Sequence, residues 1–106
     1  MLLHPDDSIA VIFCAQRTGV GEDGYQAAAT AMGALAAQQP GYLGEDHARS
    51  PDGFGITVSY WRDDASARAW RDNPEHAVIR DLGRGKWYSA YSLHVVRVER
   101  GYDWQK

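Results

Sequence analysis

The chain has one cysteine, Cys14, in 106 residues. No internal disulfide framework can form, and the fold must be held by its core alone. That fits a reducing compartment. No run of like-charged Lys and Arg reaches five residues, and the net charge is -3. The basic stripe of a nucleic-acid binder is missing, and no nucleic-acid partner is expected. No apolar run approaches the ~18 residues of a membrane span. The opening "MLLHPDD" has neither the basic start nor the apolar stretch of a secretory signal. No membrane association is expected, and the cytoplasm is the default location. There is no repeat of the tetratricopeptide or ankyrin kind. Nor is there a two-His spacing with a carboxylate set of the kind zinc enzymes use, so no metal site is expected.

Aromatic residues are plentiful by contrast, with four Trp and six Tyr. They build cores, and they also line pockets for flat organic ligands. The hydrophobic share of 44% and charged share of 24% are those of an ordinary globular domain. The length suits one domain over residues 1–106, with an ordered core over about 8–99 and a C-terminal tail over 100–106. Such a chain buries roughly two-thirds of its unfolded surface.

Ser8 to Gln16, "SIAVIFCAQ", alternates as a strand, but both of its faces are apolar. Both sides of that strand must therefore be covered. Thr18 to Gly24 is a glycine loop. Its acidic Glu22 and Asp23 would repel phosphate, and no Gly-Lys-Ser/Thr ending follows, so a phosphate cradle is not expected. Asp23 is placed as the cap of the next helix. Tyr25 to Gln39 carries a helical stripe of Tyr25, Ala28, Ala29, Met32, Leu35 and Ala36, mostly alanine, which would let it lie close to a sheet. Pro40-Gly41 stops it. Tyr42 to Ser50 and Gly55 to Trp61 read as strands joined by the Pro51-Asp52-Gly53 turn, an antiparallel hairpin. On the first of these, Leu43, Glu45, His47 and Arg49 alternate onto one face. A short helix starts at Asp63-Asp64 and ends near Trp70. A second is capped by Asn73, with Pro74 in its first turn. Gly83 and Gly85 weaken that second helix by roughly 1 kcal/mol each. The fourth strand lies within Trp87 to Glu99.

The order is strand, helix, strand, strand, broken helix, strand. This is the ferredoxin-like βαββαβ plan, an α+β fold with a four-stranded antiparallel sheet and helices on one face. The bare face needs a cover, and a second copy stacking sheet on sheet is the economical one. On the last helix His76, Ile79, Gly83 and Trp87 share one side. With Trp70 packed before them, these residues could wall a cavity or simply form core. Gly83 would leave room beside them.

This order, with "QQPGYLG", "GFGITVSYW" and "AWRDNPEH", resembles the antibiotic biosynthesis monooxygenase domain family of the dimeric α+β barrel superfamily. The resemblance runs from about Ile9 to Glu99. It implies a homodimer through sheet faces, with one pocket per subunit between sheet and helices. Some members of the family oxidise polycyclic aromatic phenols with molecular oxygen and no metal or flavin. On that model Trp70 stacks on the substrate and His76 takes its proton. Trp87, Tyr91, Gln16, Arg49 and His47 are the further substrate-binding candidates. Related members bind and degrade haem, using a first-strand Asn, a Trp and a His ligand. Gln16 stands in the place of that Asn, and no His occurs from Ala77 to Leu93, where the iron ligand would fall. Three readings follow: a cofactor-independent monooxygenase acting on a small polyketide- or quinol-type aromatic, a haem-degrading enzyme, or a non-catalytic dimeric binder of small hydrophobic ligands. The first two require a hydrogen-bonding or ligating group in the pocket, whereas the third predicts a cavity without a base.

Overall fold

Four strands pair in the order β2-β3-β1-β4 in the computed structural model, which describes residues 4–106, Asp23 by its backbone only. They are β1 (Ile9–Arg17), β2 (Tyr42–Arg49), β3 (Phe54–Trp61) and β4 (Tyr88–Arg97). All three pairings are antiparallel, and the first strand in sequence lies inside the sheet. The helices are α1 (Glu22–Ala37), α2 (Asp64–Arg71) and α3 (Pro74–Leu82). This is the α+β, ferredoxin-like order that the sequence predicts.

The helix starts follow local chemistry. Asp63 caps α2 by accepting a hydrogen bond from the Ser66 N–H at 2.8 Å. Asn73 caps α3, its side-chain oxygen accepting from Glu75 and His76 N–H, and Pro74 takes the first helical position. The start of α1 differs from expectation. It begins at Glu22 behind Gly21, so Asp23 lies within the first turn and the cap position falls to Gly21, while the Asp23 side chain lies outside the described residues. Gly21 sits at φ 68, a left-handed conformation that favours glycine, and no side chain among the described residues caps the helix.

Register assigns the sheet faces, because directly opposed residues point the same way. Ile9, Val11, Phe13, Ala15 and Arg17 face the helices, with Trp61, Ser59 and Thr57 from β3 and Val95, Leu93 and Tyr91 from β4. Ala10, Ile12, Cys14 and Gln16 face the other way, beside Tyr60, Val58, Ile56 and Phe54. Both faces of β1 are thus apolar, as its sequence demands. His4 stacks on Tyr60, with ring centroids 3.8 Å apart, and covers one end of the outer face. The rest of that face stays open, with Ile56 41% and Val96 40% exposed.

On the helix side the core centres on Trp61, which is fully buried and packs with Ile9 and Ala67. The Trp61 indole N–H donates to Ser59 Oγ at 3.0 Å, so the burial leaves no polar atom unpaired there. Tyr42 meets its ring edge-on at 5.5 Å, a pair worth about 0.5–1.5 kcal/mol beyond area burial. The alanine face of α1 does not close onto the sheet. Tyr25, at its start, packs against Trp87 and Tyr88, and these rings hold the helix away. Ala28, Ala29 and Met32 are too slight to fill the space left, and a cavity remains.

After Leu82 the chain does not fray at its glycines. Gly83–Trp87 winds into a π-helical turn that feeds β4 directly. Single π turns often mark functional sites. Gly83 is needed for a contact and leaves no room: a β-carbon there would lie 2.8 Å from the Tyr88 ring.

Candidate functional site

The cavity between sheet and helices has a volume of about 620 Å³. Its sheet wall is Val11, Phe13, Leu93 and Val95, and its α1 wall is mostly alanine. Aromatic rings close the ends: Trp70 and His76 on one side, and Tyr25, Trp87, Tyr88 and Tyr91 on the other. Arg80 and Arg84 border it from the last helix and the π turn, and Glu45 and Asp64 from β2 and α2.

The break between α2 and α3 places His76. Asp72 ends one helix and Asn73 starts the next, bringing the His76 ring flat onto Trp70. The two ring centroids are 4.3 Å apart and the planes differ by 8°. The other face of Trp70 looks to Trp61 at 6.2 Å. His76 Nδ1 lies 3.0 Å from the Trp70 carbonyl oxygen. A carbonyl only accepts, so Nδ1 carries the hydrogen. In the neutral ring the lone pair is then on Nε2, which has no hydrogen-bond partner among the described residues. Burial pushes the His76 pKa below its ordinary value. The Trp70 carbonyl opposes that shift and the Arg80 charge adds to it. His76 is therefore a neutral base of fixed tautomer at the cavity wall.

Tyr88 has the opposite character. Burial, and next the neighbouring Tyr25 phenol, drive its pKa far up, against the pull of Arg17 and Arg49. It stays a phenol. Arg84 donates to the Tyr91 hydroxyl and ties the π turn to β4 across the cavity.

Of the residues singled out in the sequence, Trp70, His76, Trp87 and Tyr91 meet at this cavity. Gln16, His47 and Arg49 do not. Gln16 is on the opposite face of the sheet, where its amide donates to the Asp52 carbonyl at 2.8 Å. His47 shares the helix-side face with Thr57 but is exposed on the edge strand β2. Arg49 reaches Glu22 in a separate pocket. Leu43 leaves its expected row because the β2–β3 register shifts between Tyr42 and Gly44. Trp70 also differs from expectation in how it can act: with His76 on one face and Trp61 toward the other, only its edge is left for a ligand. Tyr25 and Arg84 escaped sequence reasoning. Tyr25 heads a helical stripe that reads as core, and Arg84 sits between glycines where no regular period places it. Among the described residues no three His, Cys, Asp or Glu side chains gather as a metal site would require. No helix among the described residues is long and apolar enough to cross a membrane.

Comparison with known proteins agrees with this fold. Residues 11–82 match the family model described as antibiotic biosynthesis monooxygenase. The uncharacterized protein YqjZ of Bacillus subtilis (strain 168) is 42% identical over 91 residues, covering 86% of this chain and 79% of YqjZ. Among solved structures, SnoaB, a cofactor-independent oxygenase from Streptomyces nogalater, superposes with a TM-score of 0.76 at 14% identity, over 90% of this chain and 96% of SnoaB. Rv0793 from Mycobacterium tuberculosis gives 0.74 at 16% identity, over 93% and 99%. At such identities the two structures speak for the fold. The family match supports a monooxygenase-like role at the level of the family.

Proposed function

The chain belongs to the antibiotic biosynthesis monooxygenase family, and from that premise we propose that it oxidises a small electron-rich aromatic, a polyketide phenol or quinol, with molecular oxygen and no bound cofactor. The observation that carries this reading is His76: a neutral base, its tautomer held by the Trp70 carbonyl, at the wall of an aromatic-lined cavity.

The chemistry needs one strong event, loss of a proton from the substrate. The anion so formed is electron-rich enough to pass one electron to oxygen. His76 Nε2 takes the proton, and the protein supplies shape and dryness around the anion. Recombination of the substrate radical with superoxide forms a C–O bond. For an anthrone-type carbon bearing two hydrogens, protonation gives a hydroperoxide. Removal of the second C–H proton then breaks the O–O bond, leaving a ketone and water. One oxygen atom of O₂ ends in the product and the other in water, and no outside reductant is consumed. A general base of this kind contributes about 10²–10⁴ in rate. Trp70 acts as the platform that dries and orients His76. The flat substrate lies instead against the rings at the other end, Tyr88, Tyr91 and Trp87. The description of SnoaB as cofactor-independent supports the cofactor-free form of the proposal.

The haem alternative fits the residues poorly. Gln16, in the place of the haem branch's Asn, is on the far side of the sheet, and the segment around Arg80 supplies no His. The non-catalytic binder predicts a cavity without a base, whereas this one contains His76.

Two copies pair through the outer sheet faces in this proposal, covering Ile12, Ile56, Val58 and Val96. The exposed apolar side chains there are what a partner sheet would bury. The test is incubation with an anthrone-type phenol in air and under argon. Oxygen uptake matching product, with none formed anaerobically, is expected. Equal product in both would reject the reading.

A further inference from the structure

A second pocket, also about 620 Å³, opens at the end of the sheet where β1 runs into the glycine loop and β2 turns into β3. It shares no lining residue with the aromatic cavity. Arg17, Glu22, Arg49 and the 50–53 turn enclose it. We propose that it is a binding site for a small oxyanion, a carboxylate or a phosphate, whose place the Glu22 carboxylate takes in this structure.

Arg17 carries the argument. Its side chain is only 4% exposed. Its Nη2 pairs with Glu22, while its Nε and Nη1 are buried with no hydrogen-bond partner among the described residues. Arg17 lies over the Tyr25 ring, its Cζ 3.2 Å from the centroid. That contact satisfies the face of the guanidinium and leaves its in-plane donors unanswered. Buried donors left this way are costly, and a bound anion is one of the few things that explains them. The Trp87 indole N–H is also buried and has no partner among the described residues. It borders the same loop: a β-carbon placed on Gly21 would lie 3.2 Å from it. Both orphaned Arg17 atoms, which belong to this pocket, are donors.

Two further features agree. Arg49 brings a second guanidinium, its Nη2 3.6 Å from the other Glu22 oxygen, so one carboxylate lies between two arginines. The start of α1, sixteen residues long, has glycine at its cap position and no side-chain cap among the described residues, and it presents its positive dipole end at the same loop. The sequence argument that Glu22 would repel an anion loses its force, because both arginines neutralise it. Of the other charges, Asp52 accepts from the Phe54 N–H and the Ser50 hydroxyl within its own turn. Lys86 lies over Gly21. Glu22 is 48% exposed on its side chain and can swing out to solvent, whereas Arg17 cannot. An incoming carboxylate or phosphate would replace it and gain the bidentate geometry that arginine favours.

Thermal unfolding of the full chain tests this with acetate, inorganic phosphate and chloride at matched ionic strength. Glu22→Gln removes the resident carboxylate. It should lower the melting temperature, and acetate or phosphate should restore it while chloride does not. Whichever anion restores it identifies the ligand class. Arg49→Met should weaken that anion's binding to the wild-type background about ten- to a hundredfold, as loss of a charge-assisted contact does. If Glu22→Gln does not fold, the wild-type Arg17 Nε–H resonance gives the answer. It should move on titration with acetate or phosphate and stay still with chloride. Equal effects of all three salts, or no movement at tens of millimolar, would overturn the proposal.

Discussion

Replacing His76 by Gln keeps a polar side chain of similar reach and removes the neutral base that borders the aromatic cavity. At pH 7 the expected loss in kcat/KM is about 10²–10⁴, or about 3–5 kcal/mol of transition-state stabilisation. The pH profile carries more information than the single value. Burial and the Arg80 charge hold the His76 pKa below 6.5, so the base is free through neutral pH. Activity of the wild type should rise with pH along a limb centred below 6.5 and be flat above it. The same group sets a stability slope. A lowered folded-state pKa means that the unfolded chain binds more protons as pH falls through 6.5, so stability is lost from there down to the folded pKa. The variant should lack that slope. Its catalytic deficit should narrow at alkaline pH, where a phenolic substrate ionises without help. Trp70→Ala should move the limb upward toward 6.5, because the ring that desolvates His76 is gone while the carbonyl that fixes its tautomer remains. Oxygen-electrode rates across pH 5 to 9, a range of about four units around the ordinary His value, measure all of this. A variant within about tenfold of wild type at pH 7, or a wild-type limb above 6.5, would refute His76 as the base.

Asn73→Ala removes the oxygen that caps α3 at the Glu75 and His76 N–H groups. It should cost about 1 kcal/mol, seen as a fall of roughly 4–8 °C in melting temperature, with a lower kcat as His76 loosens. Gly83→Ala sits at helical dihedrals, where alanine alone would gain about 1 kcal/mol. The new β-carbon would meet Tyr88 at 2.8 Å, so calorimetry should show destabilisation instead, and a raised melting temperature would refute the packing. Ile56→Asp, on the outer sheet face, should convert a pair into single chains by light scattering. An unchanged mass would remove that face as the interface.

The fold was legible because its signals are local. Asp63, Asn73 and Pro74 announce helix starts by side-chain chemistry that needs no tertiary partner, and the two apolar faces of β1 already demanded cover on both sides. The site was legible in part for the same reason: the Asp-Asn-Pro break fixes His76 against Trp70 within seven residues of chain. What the sequence concealed depends on distant contacts. Gln16 and Arg49 alternate plausibly along their strands, but only the register shows that Gln16 faces away from the cavity, and only the contact with Glu22 shows that Arg49 ends in a different pocket. The cavity was legible only as one of two outcomes, because an alanine stripe is equally compatible with close packing and with a gap. The rings of Tyr25, Trp87 and Tyr88, brought together from opposite ends of the chain, decide between the two.

The bond that orients His76 ends on a main-chain oxygen. Every amino acid provides that atom, so descendants of this protein can exchange residue 70 freely and still inherit the tautomer. They cannot change the number of residues between positions 70 and 76. One inserted or deleted there would rotate the imidazole off its acceptor. Divergence in this lineage should therefore tolerate point replacements in that segment and avoid gaps, and a designer seeking new chemistry in the hollow should vary letters there and leave the count alone.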